Sequence, residues 1–362
     1  MASRLIQLHR EGGQSPWLDN LQRGWLRHGE LARWVERGIR GVTSNPTIFA
    51  KAMRDAVYDD QLHEVLASGR SVEEAYWDLV VTDIIDATAV LRAVFEESEG
   101  QDGFVSVEVD PRLAWDTEGT VAAARALHRR IDRPNLLVKV PATRAGVLAL
   151  ETLIAEGISI NATLIFSQQR YSEVMQAYLR GLEAFKGDLS SVASVASFFV
   201  SRVDAEVDAR LEAIGPEPVR RLGGQAAVAN AQVAYEEFLT TFSGSRWAAL
   251  EARGARHQRP LWASTSTKNP SYMDTLYVDE LIGPHTVNTM PEATIVAFED
   301  HGIIGRTVDA HLAGAYDVLE QLARLGISLD EVTAKLEADG VASFIASFDE
   351  VLSTLASRAP AS

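Results

Sequence analysis

The apolar and polar positions of the chain repeat in the order short strand, loop, helix. Eight runs carry strand character: WLDN (17–20), GVTSN (41–45), FVSVEV (104–109), NLLVKV (135–140), ISINATLI (158–165), SVASVASFFV (191–200), LWAST (261–265) and HTVNTM (285–290). Helical patterns lie between them. Ser71 followed by Glu74 forms a capping box before a long helical run, and Pro291 opens another that ends before Gly302. Eight strands alternating with helices predict a closed parallel α/β barrel. The long gaps after the second and sixth strands are expected to hold extra helices, and residues 306–358 read as two or three helices capping one end. No low-complexity linker or obvious repeat divides the chain, so residues 1–362 read as one barrel domain.

Side chains two apart on a strand share a face. The unusual residues pair in this way: Thr43 with Asn45, Ser106 with Glu108, Asn161 with Thr163, and Ser197 with Phe199. Lys139 shares its face with Leu137, and Asp19 with Trp17. The opposite face carries Val105, Val107, Val109, Val138, Val140, Ile160 and Ala162, suited to packing under an outer ring of helices. Most of the polar set lies toward the carboxyl ends of the strands, where barrel enzymes carry their chemistry. An amine, two carboxylates, amides and hydroxyls would thus meet in one mouth.

Composition sharpens the meaning of Lys139. Of 34 basic residues only five are lysines (Lys51, Lys139, Lys186, Lys268 and Lys335), leaving 29 arginines. Guanidinium stays charged at any biological pH, whereas a desolvated amine loses its proton and attacks carbonyls. An amine nucleophile needs its pKa brought from about 10.4 toward about 7–8, and a dry barrel interior supplies that pressure. Glu108 and Asp19 can then exchange protons as a carbonyl carbon passes through carbinolamine and imine. Thr163 can hold a water for the dehydration, and Asn45, Asn161 and Ser197 suit sugar hydroxyls.

Each of these residues also has a plainer role. Lys139 and Glu108 can form a structural ion pair, Asp19 can cap the helix that follows, and Asn45-Pro46 can simply turn the chain. Asn161 and Thr163 can satisfy backbone groups at a strand end. Arg202 and Lys268, after strands six and seven, are placed to clamp a phosphate, but Arg202 can instead pair with Asp204 or Glu206 on the surface.

The net charge of −16 argues against nucleic-acid and anionic-membrane partners. No segment approaches the roughly 18 apolar residues of a membrane span, and MASRLIQLHREGGQ lacks the apolar stretch of a signal peptide. The absence of cysteine excludes disulfides and thiolate metal sites and suits a cytoplasmic protein. There is no phosphate-cradling glycine loop, no dinucleotide fingerprint and no H-E-x-x-H, and the eight histidines are scattered without ligand spacing. No metal or cofactor is expected.

GVTSNPTIF, LLVKVPAT, INATLIFS and FFVSR, with VEVDPRLA before the last three and KNP…DTLYV after them, resemble the transaldolases, in particular the extended branch common in actinobacteria and cyanobacteria. The resemblance runs from about Trp17 to about Gly302. It implies a single (β/α)8 TIM barrel with added helices and a helical C-terminal extension. The implied reaction moves a dihydroxyacetone unit from a ketose phosphate to an aldose phosphate, in the non-oxidative pentose phosphate pathway. By resemblance Lys139 is the Schiff-base lysine, and Asp19 the acid/base for carbon–carbon cleavage. Glu108 works through a water held by Thr163, with Thr43 in the same cluster. Asn45, Asn161 and Ser197 orient the dihydroxyacetone group, and Arg202 and Lys268 hold phosphate. Three positions depart from the usual pattern: Lys268 where many relatives have arginine, Asn20 where a second aspartate is frequent, and Ser44 where threonine is usual. Phe199 stands where the related fructose-6-phosphate aldolases carry tyrosine, which favours a transferase over a Schiff-base lyase. A non-catalytic sugar-phosphate-binding barrel is the third reading. Monomer and homodimer are both compatible with the sequence.

Overall fold

A computed structural model describes residues 3–359. Eight parallel strands form a closed barrel in sequence order. They are β1 (Gln14–Leu18), β2 (Gly41–Thr43), β3 (Phe104–Glu108), β4 (Leu136–Pro141), β5 (Ile160–Ile165), β6 (Ser194–Phe199), β7 (Gln258–Ala263) and β8 (Thr286–Met290). Pairing of β8 with β1 closes the ring. The valines, isoleucine and alanine expected beneath the helices are all buried within one large apolar cluster.

Several boundaries move. The first strand begins upstream of WLDN and ends at Leu18, leaving Asp19 just beyond its carboxyl end, where its N–H donates to the Met290 carbonyl at 2.9 Å. The second strand stops at Thr43, so Asn45 does not continue its face. Asn45 instead caps the helix Pro46–Ala52, its side chain accepting the Ile48 N–H at 3.0 Å. The structure thus shows a helix cap here, not the turn open to Asn45-Pro46. Along β5 the alternation breaks: Leu164 takes φ +57°, and the register with β6 shifts between Ala162 and Ile165. The sixth strand begins only at Ser194, because Asp188 caps a short turn over Leu189–Ser191. The seventh starts earlier and ends earlier than LWAST, where Ser264 turns to φ +56°.

The floor is closed by a buried charge cluster. Asp102 accepts from Arg40 Nε at 2.7 Å, Ser15 Oγ at 2.8 Å, Arg259 Nη1 at 3.1 Å and Trp17 Nε1 at 3.3 Å. Its two guanidinium partners more than offset burial and hold its carboxyl below the usual range. Glycine is required at Gly41, where a Cβ would lie 2.4 Å from the Trp17 ring. The chemistry is thus confined to the opposite, carboxyl end.

The expected capping box holds: Glu74 N–H donates to Ser71 Oγ at 3.2 Å, and Ser71 N–H to Glu74 Oε2 at 2.8 Å. Extra helices fill both long gaps, from Pro46–Ala52 to Arg92–Glu97 after β2, and from Ser201–Ile214 to Gly244–Glu251 after β6. Two helices form the C-terminal region, Leu312–Arg324 and the 29-residue Leu329–Ser357. The second lies across the carboxyl end of the barrel. Its Gly340 approaches Leu164, where a Cβ would sit 3.0 Å from that side chain, Ser347 Oγ meets Thr47 Oγ1 at 2.9 Å, and Phe348 packs edge-on against Tyr76 with centroids 5.1 Å apart. Among the described residues no helix is long and apolar enough to cross a membrane.

Candidate active site

Register brings Glu108, Lys139 and Asn161 side by side on β3, β4 and β5, and sets Thr163 opposite Pro141. Lys139 is 4% exposed. Its Nζ lies 3.5 Å from Glu108 Oε2, donates to the Ser44 carbonyl at 3.3 Å, and sits 6.0 Å from the Phe344 ring centroid. At 3.5 Å the pair is held by charge rather than by a good hydrogen bond. Both Glu108 oxygens and Thr163 Oγ1 are buried without a hydrogen-bond partner among the described residues. Burial pushes the Glu108 carboxyl up to about 7, with Lys139 opposing and Asp19 reinforcing the rise. The pair is therefore unlike an optimised structural salt bridge, whose remaining lone pairs would be satisfied.

Asp19 does not cap a helix: the next one, Arg23–Arg27, follows Gln22 with no side-chain cap. Its Oδ1 accepts the Thr43 hydroxyl at 2.7 Å, and Thr43 Oγ1 lies 2.6 Å from Thr289 Oγ1. Since the Thr43 proton goes to Asp19, Thr289 donates to Thr43. Burial raises the Asp19 carboxyl above its ordinary value, with Lys139 the main opposing influence. Asp19 is desolvated by the surrounding protein but keeps a face on the cavity.

On the other side of Lys139, Asn161 Nδ2 donates to Ser106 Oγ at 3.0 Å and its Oδ1 accepts from Ser197 Oγ at 2.7 Å. This chain ties β3, β5 and β6 together and fixes the orientation of the amide. Phe199 packs against Phe166 with centroids 5.1 Å apart. Arg202 reaches past it, its Cζ 5.5 Å from the Phe199 centroid.

These groups border a cavity of about 250 Å³ at the carboxyl end of the barrel, lined by Asp19, Thr43, Asn45, Lys139, Ser197, Phe199, Arg202 and Lys268 among others. Glu108, Asn161 and Thr163 are not among its lining residues. Glu108 and Asn161 border it through their strand neighbour Lys139, and Asn161 also through its bond to Ser197, while Thr163 lies opposite Pro141. Arg202 forms no ion pair among the described residues. Asp204 is engaged by Tyr277 and the Ala227 N–H, and Glu206 by Arg210 and Lys335, so the expected surface alternative fails. Burial lowers the pKa of both Arg202 and Lys268, and for Lys268 the adjacent Arg202 adds to the effect. Among the described residues Lys268 Nζ has only Ser266 Oγ, at 2.8 Å. Unpaired cations facing a cavity are suited to an anion.

Lys51, Thr289 and Phe344 are among the lining residues that the sequence reading does not single out. Lys51, on the helix after β2, also faces the cavity without a carboxylate partner among the described residues; the scarcity of lysine was the available signal. Thr289 could have been read from the alternation of HTVNTM. Phe344 had no local signal, because its place depends on how the C-terminal helix crosses the mouth. Among the described residues no group of three or more His, Asp or Glu side chains is arranged to hold a metal ion.

Residues 16–355 match the family described as Transaldolase/Fructose-6-phosphate aldolase. A protein named Transaldolase from Thermobifida fusca (strain YX) is 51% identical over 99% of both chains. One of the same name from Acidothermus cellulolyticus is 53% identical over 94% of this chain and 92% of its own, and one from Mycobacterium bovis 51% over 94% and 93%.

Proposed function

The chain belongs to the transaldolase/fructose-6-phosphate aldolase family, and from that premise we propose that Lys139 is the nucleophile through which it works as a transaldolase on sugar phosphates. Transaldolase activity follows from the close relatives of that name. The parts played by individual residues are our reading, and the observation that carries it is the buried Lys139–Glu108 contact at 3.5 Å on the edge of a cavity lined by Asp19 and unpaired cations.

The reaction begins when the Lys139 amine adds to C2 of a ketose phosphate such as sedoheptulose 7-phosphate. Protonated Glu108 gives its proton to the departing carbinolamine oxygen, directly or through a water on Thr163 Oγ1. A carboxyl held near 7 is populated in both forms at neutral pH, so it can take the proton back when the imine is hydrolysed. Asp19 then removes the C4 hydroxyl proton, the C3–C4 bond breaks, and its electron pair flows into the iminium to give an enamine. Thr43 holds one Asp19 oxygen, which leaves Oδ2 to face the sugar. The imine nitrogen is the electron sink, so the step needs only protein groups. Erythrose 4-phosphate leaves and glyceraldehyde 3-phosphate enters. The enamine attacks its aldehyde, Asp19 returns the proton to the new hydroxyl, and hydrolysis releases fructose 6-phosphate. Asn161 and Ser197 hold the dihydroxyacetone hydroxyls, and Arg202 with Lys268 holds the phosphate.

The family name covers a second outcome, release of dihydroxyacetone to water. Three observations favour transfer: the relatives' shared name, the phenylalanine at 199, and the ring of Phe344 that the C-terminal helix brings over Lys139. A lid over the site keeps water from the intermediate between half-reactions. Incubation with fructose 6-phosphate alone, followed by addition of erythrose 4-phosphate, tests the assignment. Sedoheptulose 7-phosphate and catalytic turnover are expected only after the acceptor is added, with no more than one glyceraldehyde 3-phosphate per site before it, and Lys139→Met is expected to give none. Rapid dihydroxyacetone release without acceptor would make the protein a lyase, and full transfer by Lys139→Met would remove Lys139 from its role.

A further inference from the structure

We propose that Asp204 and Asp208 are positioning residues that fasten the Lys268 segment to the Arg202 helix and so set the spacing of the phosphate grip; the inference rests on the phosphate role given to Arg202 and Lys268 above.

Arg202 stands at the start of the helix Ser201–Ile214, and Asp204 and Asp208 lie one turn apart on its buried side. Each carboxylate is divided between two other parts of the chain. Asp204 Oδ1 accepts the Ala227 N–H at 2.8 Å, and Oδ2 accepts the Tyr277 hydroxyl at 2.8 Å. Asp208 Oδ1 accepts the Gly224 N–H at 3.0 Å, and Oδ2 the Tyr272 hydroxyl at 2.7 Å. Both tyrosines belong to the segment that leaves β7 carrying Lys268. The near end of that segment is tied to the same helix: Ser201 N–H donates to the Ser264 carbonyl at 3.0 Å, and the two seryl hydroxyls lie 2.9 Å apart. Lys268 therefore sits on a span fastened at both ends to the element that bears Arg202.

Packing alone gives no reason for this arrangement. Two carboxylates one turn apart, 1% and 8% exposed, repel each other and are costly to bury, and an apolar pair would join the segments at lower cost. Burial, with Asp208 adding to it, holds the Asp204 carboxyl up to about 7. What the carboxylates supply is direction and fixed length. The need for that is plain on the cavity side, where Arg202 and Lys268 line one cavity, the Arg202 charge acts on Lys268, and neither forms an ion pair among the described residues. Two such cations drift apart unless their backbones are held, and a phosphate is gripped well only at one spacing.

The test compares a phosphorylated and an unphosphorylated compound on the same amine. Borohydride trapping on Lys139 is followed against concentration of fructose 6-phosphate and, separately, of dihydroxyacetone, with inorganic phosphate as competitor. In the double variant Tyr272→Phe/Tyr277→Phe the half-saturating concentration of fructose 6-phosphate is expected to rise roughly tenfold, with a matching loss of protection by phosphate. That of dihydroxyacetone, which carries no phosphate, is expected to stay within about twofold. An equal rise for both compounds would mean general loosening, and no change for either would mean that the grip is set elsewhere; both overturn the inference. If the double variant fails to fold, Tyr272→Phe alone, at the less buried tyrosine, gives the same contrast at smaller amplitude. A wild-type protein that traps neither compound on Lys139 overturns the underlying reading as well, whereas normal wild-type trapping with an unchanged variant overturns only this one.

Discussion

Replacing Glu108 by glutamine removes a proton and a charge while keeping the side chain's size. If Glu108 is the acid that expels the carbinolamine oxygen, its loss costs about 10²–10⁴-fold in imine formation, or about 3–5 kcal/mol of barrier. The wild-type pH profile of donor kcat/KM should bend near 7, where the buried carboxyl changes form, and the bend should vanish in the variant. Stability supplies a second, independent readout. The folded protein holds this proton more tightly than the unfolded chain, whose glutamate titrates near 4.5. Ionising Glu108 therefore weakens the fold progressively as pH rises from about 4.5 to about 7, by on the order of 3 kcal/mol in all. Glutamine has no such penalty, so the variant should gain on the wild type between pH 5 and 8. Stopped-flow imine formation and urea denaturation across that range measure the two effects. Asp204 is another carboxyl held near 7, but it lies outside the cavity lining, and Asp204→Asn should keep the kinetic bend. A bend that survives in Glu108→Gln and disappears in Asp204→Asn would refute the reasoning.

Asp19→Asn should still form the imine but not break the C3–C4 bond, so borohydride after fructose 6-phosphate should leave a whole hexose-phosphate adduct, by mass, on the protein; a dihydroxyacetone-sized adduct would mean another group is the base. Phe344→Ala should raise dihydroxyacetone release per transfer turnover by opening the space above Lys139, and cost about 3–5 kcal/mol of stability for a buried ring; unchanged release would deny the C-terminal helix its sealing role. Asp83→Asn strips the buried Arg23 of its 2.7 Å partner and should cost about 3–5 kcal/mol in urea denaturation with specific activity intact.

The barrel was legible because its strands are buried on both faces and their sequence alternates two chemistries, apolar outward and reactive inward. That alternation puts Lys139, Glu108, Asn161 and Ser197 on neighbouring strands side by side, as the register and the Ser197–Asn161 bond do. It failed where strands end. Asp19 and Asn45 were read as strand residues, yet one lies past β1 and the other caps a helix, because chain ends are set by turn chemistry and neighbouring loops. The open alternatives for Asp19 and Arg202 could be closed only by tertiary contacts: Thr43 for the first, and the prior engagement of Asp204 and Glu206 for the second. Phe344 lies 205 residues from Lys139 in sequence, and no local pattern says which turn of a 29-residue helix will cover a cavity.

The central claim is that Lys139 carries the substrate. Wild-type protein is reduced with borohydride in the presence of fructose 6-phosphate, digested, and its peptides weighed. The account predicts a single adduct the size of dihydroxyacetone on the peptide containing Lys139. An adduct on any other lysine, or none from a protein that still transfers, contradicts it.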